Sequence, residues 1–212
     1  MLIKNQIVEL ITSELEQYRT YFKAHKPFID SSVYASWCAQ TYYYTSHTCR
    51  LLEKAGLAVE NPTIKETFLA HVDEEMGHEN LSKLDYKMVT KGGKVTDFPE
   101  FQETKDFWGY IDSEIDVNPM SMFGYALSLE FLACELGELL IDQASVHGKR
   151  SVHFLKEHHE VDQEHTKIMI AMLDNLNEEE LKVVYEATQK NFDAYRLILD
   201  KCNNQRDLQR SA

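Results

Sequence analysis

The chain has 212 residues, 43% of them hydrophobic and 27% charged, enough for one ordinary domain with a real core. Its 8 glycines and 4 prolines are about half the usual share, which excludes a turn-rich β-sandwich or barrel and long linkers. With 22 Lys and Arg against 35 Asp and Glu, a formal charge of −13 and no basic run, the sequence excludes nucleic acid and anionic membrane as expected partners.

Taken in chain order, the elements are helical. Ile7, Leu10, Ile11, Leu15, Tyr18 and Phe22 recur as one amphipathic stripe from Ile3 to about Ala24, and Pro27 ends it. A second helix is expected from Asp30 or Ser31 to about Gly56. Asn61-Pro62 supplies an N-cap and a first-turn proline for a third, which runs to about Val89 and stops at Gly92-Gly93. A loop over 92–100 leads to a short helix near 100–110. Asn118-Pro119 opens a helix reaching about His147, another spans Ser151 to about Leu173, and Asn177 with Glu178, Glu179 and Glu180 starts the last. No strand pattern, repeat or composition shift divides the chain, so one all-α domain over 1–212, of about seven helices, is expected.

The first ten residues, MLIKNQIVEL, carry charge where a signal peptide needs an apolar stretch. Cys38, Cys49, Cys134 and Cys202 lack CxxC spacing, so reduced thiols in a cytoplasmic protein are expected.

Two stretches have unusual charge patterns. Residues 31–49 contain no Asp, Glu, Lys or Arg but include Trp37, Gln40, Tyr42, Tyr43, Tyr44 and His47. That is too polar to span a membrane and too uncharged for a surface, so it reads as a core helix with satisfied hydroxyls or as the wall of a cavity. Residues 117–129 are likewise uncharged, and Glu130 then interrupts the apolar run LSLEFLAC. A lone carboxylate there must be paired, protonated or bound to a cation.

The segment HHEVDQEH places His158, Asp162 and His165 at i, i+4 and i+7, within about 60° on a helix. Two imidazoles and a carboxylate on one stripe are the donor combination that suits non-haem iron. In HVDEEMGH, Glu75 and His78 have the i, i+3 spacing of helical di-iron sites. His71 shares that stripe and Glu74 borders it, leaving the choice between Glu74 and Glu75 open. Gly77, read as mid-helix, points to close approach by another helix or a ligand. Each pattern alone has a bland reading as a polar helix face. Jointly, Glu75, His78, Glu130, His158, Asp162 and His165 offer three carboxylates and three imidazoles for two metal ions, iron or manganese.

At these residues the sequence resembles the haem-oxygenase-like di-iron oxidases and oxygenases, which share a fold with haem oxygenase, TenA and PqqC. The resemblance runs from about Tyr34 to Leu173 and rests on EEMGH, the glutamate of YALSLEFLACELG, and the H-x3-D-x2-H of HHEVDQEH. It implies a haem-oxygenase-like helical bundle in which those six residues bind two irons (or manganese). Dioxygen would be the co-substrate, an amino acid, amine or fatty-acid-like molecule the substrate, and an external electron donor the reductant; a homodimer is one assembly compatible with it. The chain departs from the family at His71, where some members place a glutamate. Cys134 does not reproduce the TenA nucleophile context, and His25 is a poor match for a haem ligand. Tyrosine reactants in some members make Tyr43 a candidate catalytic residue beside Tyr42 and Tyr44.

Other readings make different demands. A ferritin-like metal-binding bundle, whose paired E-x-x-H motifs Glu75-x-x-His78 and Asp162-x-x-His165 mimic, would need an early-helix glutamate such as Glu14 or Glu16 as a ligand and leaves His158 without a role. A metal-free TenA- or PqqC-like enzyme would work in chelator, and a non-catalytic binding module would ignore metal. Lys65, Lys83 and Arg150 are the candidate anion anchors, and Trp37, Phe123 and Tyr125 are expected with Tyr42–Tyr44 around any cavity.

Overall fold

The computed structural model describes residues 2–210, with side chains from 3 to 206. The stripe expected in α1 (Leu2–His25) becomes core: Ile7, Ile11, Leu15, Tyr18 and Phe22 are all buried. Asp30 caps α2 (Ser31–Ala58) by accepting from the Ser32 and Val33 amides. This helix with its uncharged stretch is central, packing against α3, α4, α5 and α8. Gln40, fully buried on it, donates to the Pro99 carbonyl and accepts from the Phe101 amide and the Thr104 hydroxyl.

Asn61 starts α3 (Pro62–Glu75) as expected, its side chain accepting from the Thr63 and Ile64 amides. The third helix is not continuous to Val89. It breaks at Met76–His78 and resumes as α4 (Glu79–Val89), so the described residues form eight α-helices where about seven were anticipated. Gly77 causes the break by taking φ +92°, a conformation L side chains rarely adopt. It is not a close-approach site, since a Cβ there would meet only Asn80 Nδ2 at 3.8 Å. The bend frees α4 to pack against α7 as well as α2.

The helix expected near 100–110 is longer, α5 running Gln102–Val117. Its buried stripe Phe107, Ile111 and Ile115 continues beneath the acidic residues that disguised its second half. Then α6 (Ser121–Ala144) lies between α7 (His153–Met172) and α8 (Glu178–Arg210). Gly124 permits the α6–α8 crossing, where a Cβ would fall 2.7 Å from the Val184 carbonyl oxygen. A capping box starts α8: the Glu180 amide donates to Asn177 Oδ1 and the Asn177 amide to Glu180. No strand occurs among the described residues, and none of their helices is long and apolar enough to cross a membrane.

Candidate metal centre

Three helices aim ionisable side chains at one region: α3 with the bend after it, α6 and α7. Glu75 ends α3 and His78 follows the bend. Glu130 lies mid-way along α6, and His158, Asp162 and His165 share one stripe of α7. Glu75, Glu130, His158 and Asp162 are buried, while His78 and His165 are partly so.

All six anticipated residues converge. Donor atoms of Glu75, His78 and His158 lie within 4.8 Å of one another, and so do those of Glu130, Asp162 and His165. His71 joins both groups, its Nε2 lying 3.4 Å from Glu75 Oε1 and 3.5 Å from Glu130 Oε1. Glu74, the alternative to Glu75, is on the outer side, 3.3 Å from His165 Nε2. Glu75 rather than Glu74 therefore faces inward, and His71, weighed from the sequence only as an alternative to Glu75, stands beside it.

The spacings are informative. His78 Nδ1 to Glu75 Oε2 and His165 Nδ1 to Asp162 Oδ1 are both 3.4 Å, long for charge-assisted hydrogen bonds, which close to about 2.7–2.9 Å. Two donors about 2.1 Å from one cation sit about 3.0–3.4 Å apart at octahedral to tetrahedral angles. Both oxygens of Glu130, Asp162 Oδ2, His78 Nδ1 and His165 Nδ1 are buried with no hydrogen-bond partner. Orphaned polar atoms in such number need a partner that protein atoms do not provide here. Among the described residues no Lys or Arg fills the role, since the ion-pair contacts of Glu75, Glu130 and Asp162 there are all with histidines. The salt-bridge reading of Glu130 is thereby set aside.

Electrostatics point the same way. Burial pushes Glu130 well above the ordinary carboxylate range, and the charges of Asp162 and Glu75 push it further. Burial also raises Asp162, against the opposing pull of His165. Burial acts on Glu75 too, but His71, His78 and His158 outweigh it and hold its carboxyl well below the usual range. His78 is raised by Glu75, and His165 by Asp162. Three carboxylates crowded without a compensating fixed cation are frustrated. His158 is already oriented, because its Nδ1–H donates to the Phe154 carbonyl at 2.9 Å, which leaves Nε2 as the free lone pair.

Beside these groups lies a cavity of about 80 Å³, walled chiefly by apolar side chains such as Leu132, Leu136 and Leu140. Trp37, Tyr44 and Tyr125 line it as expected. Tyr42 and Phe123 are not among its lining residues, and neither is Tyr43, whose hydroxyl donates to the Phe98 carbonyl. The Tyr125 hydroxyl is buried without a partner. Lys65, Lys83 and Arg150 do not line the cavity either, and among the described residues neither lysine nor arginine does.

Other candidates fall elsewhere. Glu14 pairs with Arg196 and Glu16 with Arg19, away from the cluster, which removes the ligand that a ferritin-like bundle requires. His25 is exposed. Burial raises the Cys134 thiol, so it is not an activated thiolate. Sequence reasoning missed Asp85, which is fully buried on α4 and holds the start of α7. Its signal was a carboxylate four residues after Leu81 on the packed face of a short helix.

No protein-family model and no curated protein matches the chain. Solved structures do. A domain of unknown function with a haem oxygenase-like fold from Shewanella denitrificans OS217 superposes with a TM-score of 0.80 at 19% identity, covering 98% of this chain and 93% of that one. A TenA homolog from Pseudomonas syringae pv. tomato DC3000 gives 0.71 at 10% identity, covering 93% and 91%. The chain therefore has the haem-oxygenase-like fold anticipated from its motifs.

Proposed function

We propose that this haem-oxygenase-like chain is a non-haem di-iron (or iron–manganese) oxidoreductase that activates dioxygen to oxidise a small organic substrate. The observation that carries the reading is Glu130: a buried carboxylate with both oxygens unpartnered, facing Asp162, His165 and His71 instead of a lysine or arginine. The donors fit two cations. Glu75, His78 and His158 would hold one, and Glu130, Asp162 and His165 the other, with His71 between them. Two bound ferrous ions would supply Lewis acidity and the electrons needed to reduce dioxygen.

The protein's own share follows from its residues. Three carboxylates neutralise three of the four charges of two divalent cations, which leaves room for one anionic ligand. The Phe154 carbonyl fixes the His158 tautomer, so that imidazole presents a lone pair without reorganising. Leu132, Leu136 and Leu140 keep the chamber dry and select an apolar portion of the substrate. Tyr125 offers a buried hydroxyl to that substrate from the chamber wall.

The test is anaerobic loading with Fe(II), metal analysis and exposure to oxygen. About two irons per chain and an optical change on oxygenation are expected. Fewer than one iron per chain with no spectral change would refute the reading. A non-catalytic module would stay indifferent to iron and manganese, and a metal-free TenA-like enzyme would turn over in chelator.

A further inference from the structure

A second, outer group of donors lies on the surface side of the same helices. His71, Glu74 and His165 place donor atoms within 4.8 Å of one another. They line a surface groove of about 270 Å³ between α3 and α7, whose walls include Glu66, Ala70 and Ile168. Neither lysine nor arginine lines that groove. The Glu74 side chain is 53% exposed, whereas His165 is 13% and His71 12% exposed, so the triad runs from solvent inward.

Two imidazoles belong to both groups. His165 Nε2 is 3.3 Å from outer Glu74, while its Nδ1 is 3.4 Å from inner Asp162. His71 lines the groove and the interior chamber alike and touches Glu75 and Glu130 on the inner side. The unpartnered, buried Nδ1 of His165 faces inward while its other nitrogen meets the groove.

We propose that His71, Glu74 and His165 form an outer divalent-cation site that captures the metal ion in the α3–α7 groove and passes it to the interior donors. This rests on the metal reading of the interior. A neutral imidazole has one lone pair, so His165 serves the outer or the inner position at a given time, and the two fill in turn. Transfer is ligand exchange without change of oxidation state: Glu74 is released as Asp162 and Glu130 are gained. Glu74 draws the cation from solvent, and the more numerous buried carboxylates make the inner position the more favourable one.

Glu74→Gln tests this, because His165 belongs to an inner group and His71 touches Glu75 and Glu130, whereas Glu74 is the member of the outer triad with no such inner contact. Mn(II) is counted by equilibrium dialysis, and Co(II) uptake is followed by stopped-flow absorbance. The variant is expected to reach the same final occupancy as wild type but to load about 10-fold more slowly, with Glu74→Asp restoring the rate. In Asp162→Asn, where transfer inward is impaired, a weakly held cation should remain that adding Glu74→Gln removes. Unchanged loading in Glu74→Gln overturns the proposal. So does reduced affinity at equilibrium with no change in rate, which would make Glu74 a group that merely orients His165. If wild type holds a single cation that Glu74→Gln removes and Glu130→Gln leaves, the outer site stands and the di-metal reading of the interior falls. No cation bound by wild type overturns both.

Discussion

The carboxylate of Asp85 on α4 accepts the backbone N–H groups of His153 and Phe154, each at 2.9 Å, and so closes the amino end of α7. His153 Nδ1 also lies 2.8 Å from it. A fully buried side chain outside the donor cluster thus joins the helix that follows His78 to the helix carrying His158, Asp162 and His165. Its anchor point at His153, five residues before His158, sets where that stripe points.

Removing this cap should be costly. Hydrogen bonds to a charged group contribute about 1.5–3 kcal/mol, and an orphaned buried donor adds a penalty. Asp85→Ala should lower stability by about 3 kcal/mol, a fall of about 6–12 °C in Tm for a chain of this size. Asp85→Asn, which keeps one acceptor, should lose roughly half as much. Thermal denaturation of the two variants provides the measurement, and equal losses would count against the capping role.

Glu130 should show opposed effects on stability and binding. Its buried charge repels Asp162 and Glu75, so Glu130→Gln should stabilise the metal-free protein at pH 8 by about 1 kcal/mol, about 2–4 °C in Tm. Mn(II) or Fe(II) should raise the Tm of wild type, and the same variant should lose most of that rise. Differential scanning fluorimetry with and without metal reads both.

The pH dependence has a definite sign. Burial raises Glu130, Asp162 and Asp85. Each then binds its proton more tightly when folded, giving stability that is complete below the unfolded value near pH 4 and lost as pH rises through the raised one. His78 and His165, raised by Glu75 and Asp162, contribute fully below about pH 6.5 and lose that contribution on further rise. Glu75, held low despite its burial, acts oppositely: its contribution is present above about pH 4.3 and is lost in acid. For these groups together the contribution is greatest at about pH 4–5, so the Tm of metal-free protein should fall from there towards pH 8, and saturating metal should flatten that fall. A flat metal-free profile would contradict the arrangement.

At the bend, Gly77→Ala places an L side chain at φ +92° and should cost about 1–2 kcal/mol. Because the bend sets His78 against Glu75, metal affinity should fall with stability. Isothermal titration with Mn(II) checks this; unchanged affinity would show that His78 does not depend on the bend.

His158 separates this centre from a ferritin-like one. His158→Ala should weaken metal binding 10-fold or more, because it removes an imidazole already oriented by Phe154. A variant retaining full occupancy in metal analysis would point back to the paired E-x-x-H pattern.

Local regularities were enough to read much of this from the chain. Scarce glycine and proline, the 3.6-residue stripes and the Asn61 and Asn177 signals determine an all-helical protein and most of its helix starts, although Asn118 ends α5 and α6 begins three residues later at Ser121. The i, i+4, i+7 spacing of His158, Asp162 and His165 puts them on one face because helix geometry alone dictates it. Only tertiary structure decided that Glu75 faces inward and Glu74 outward, that His71 joins the donors, and that Tyr43 turns to the Phe98 carbonyl instead of the chamber. Periodicity fixes the angle of a side chain about its own helix axis but not which neighbouring helix it meets. That is set by how α3, packed on α2 and freed from α4 at Gly77, is placed relative to α6 and α7, a long-range packing choice no local pattern encodes.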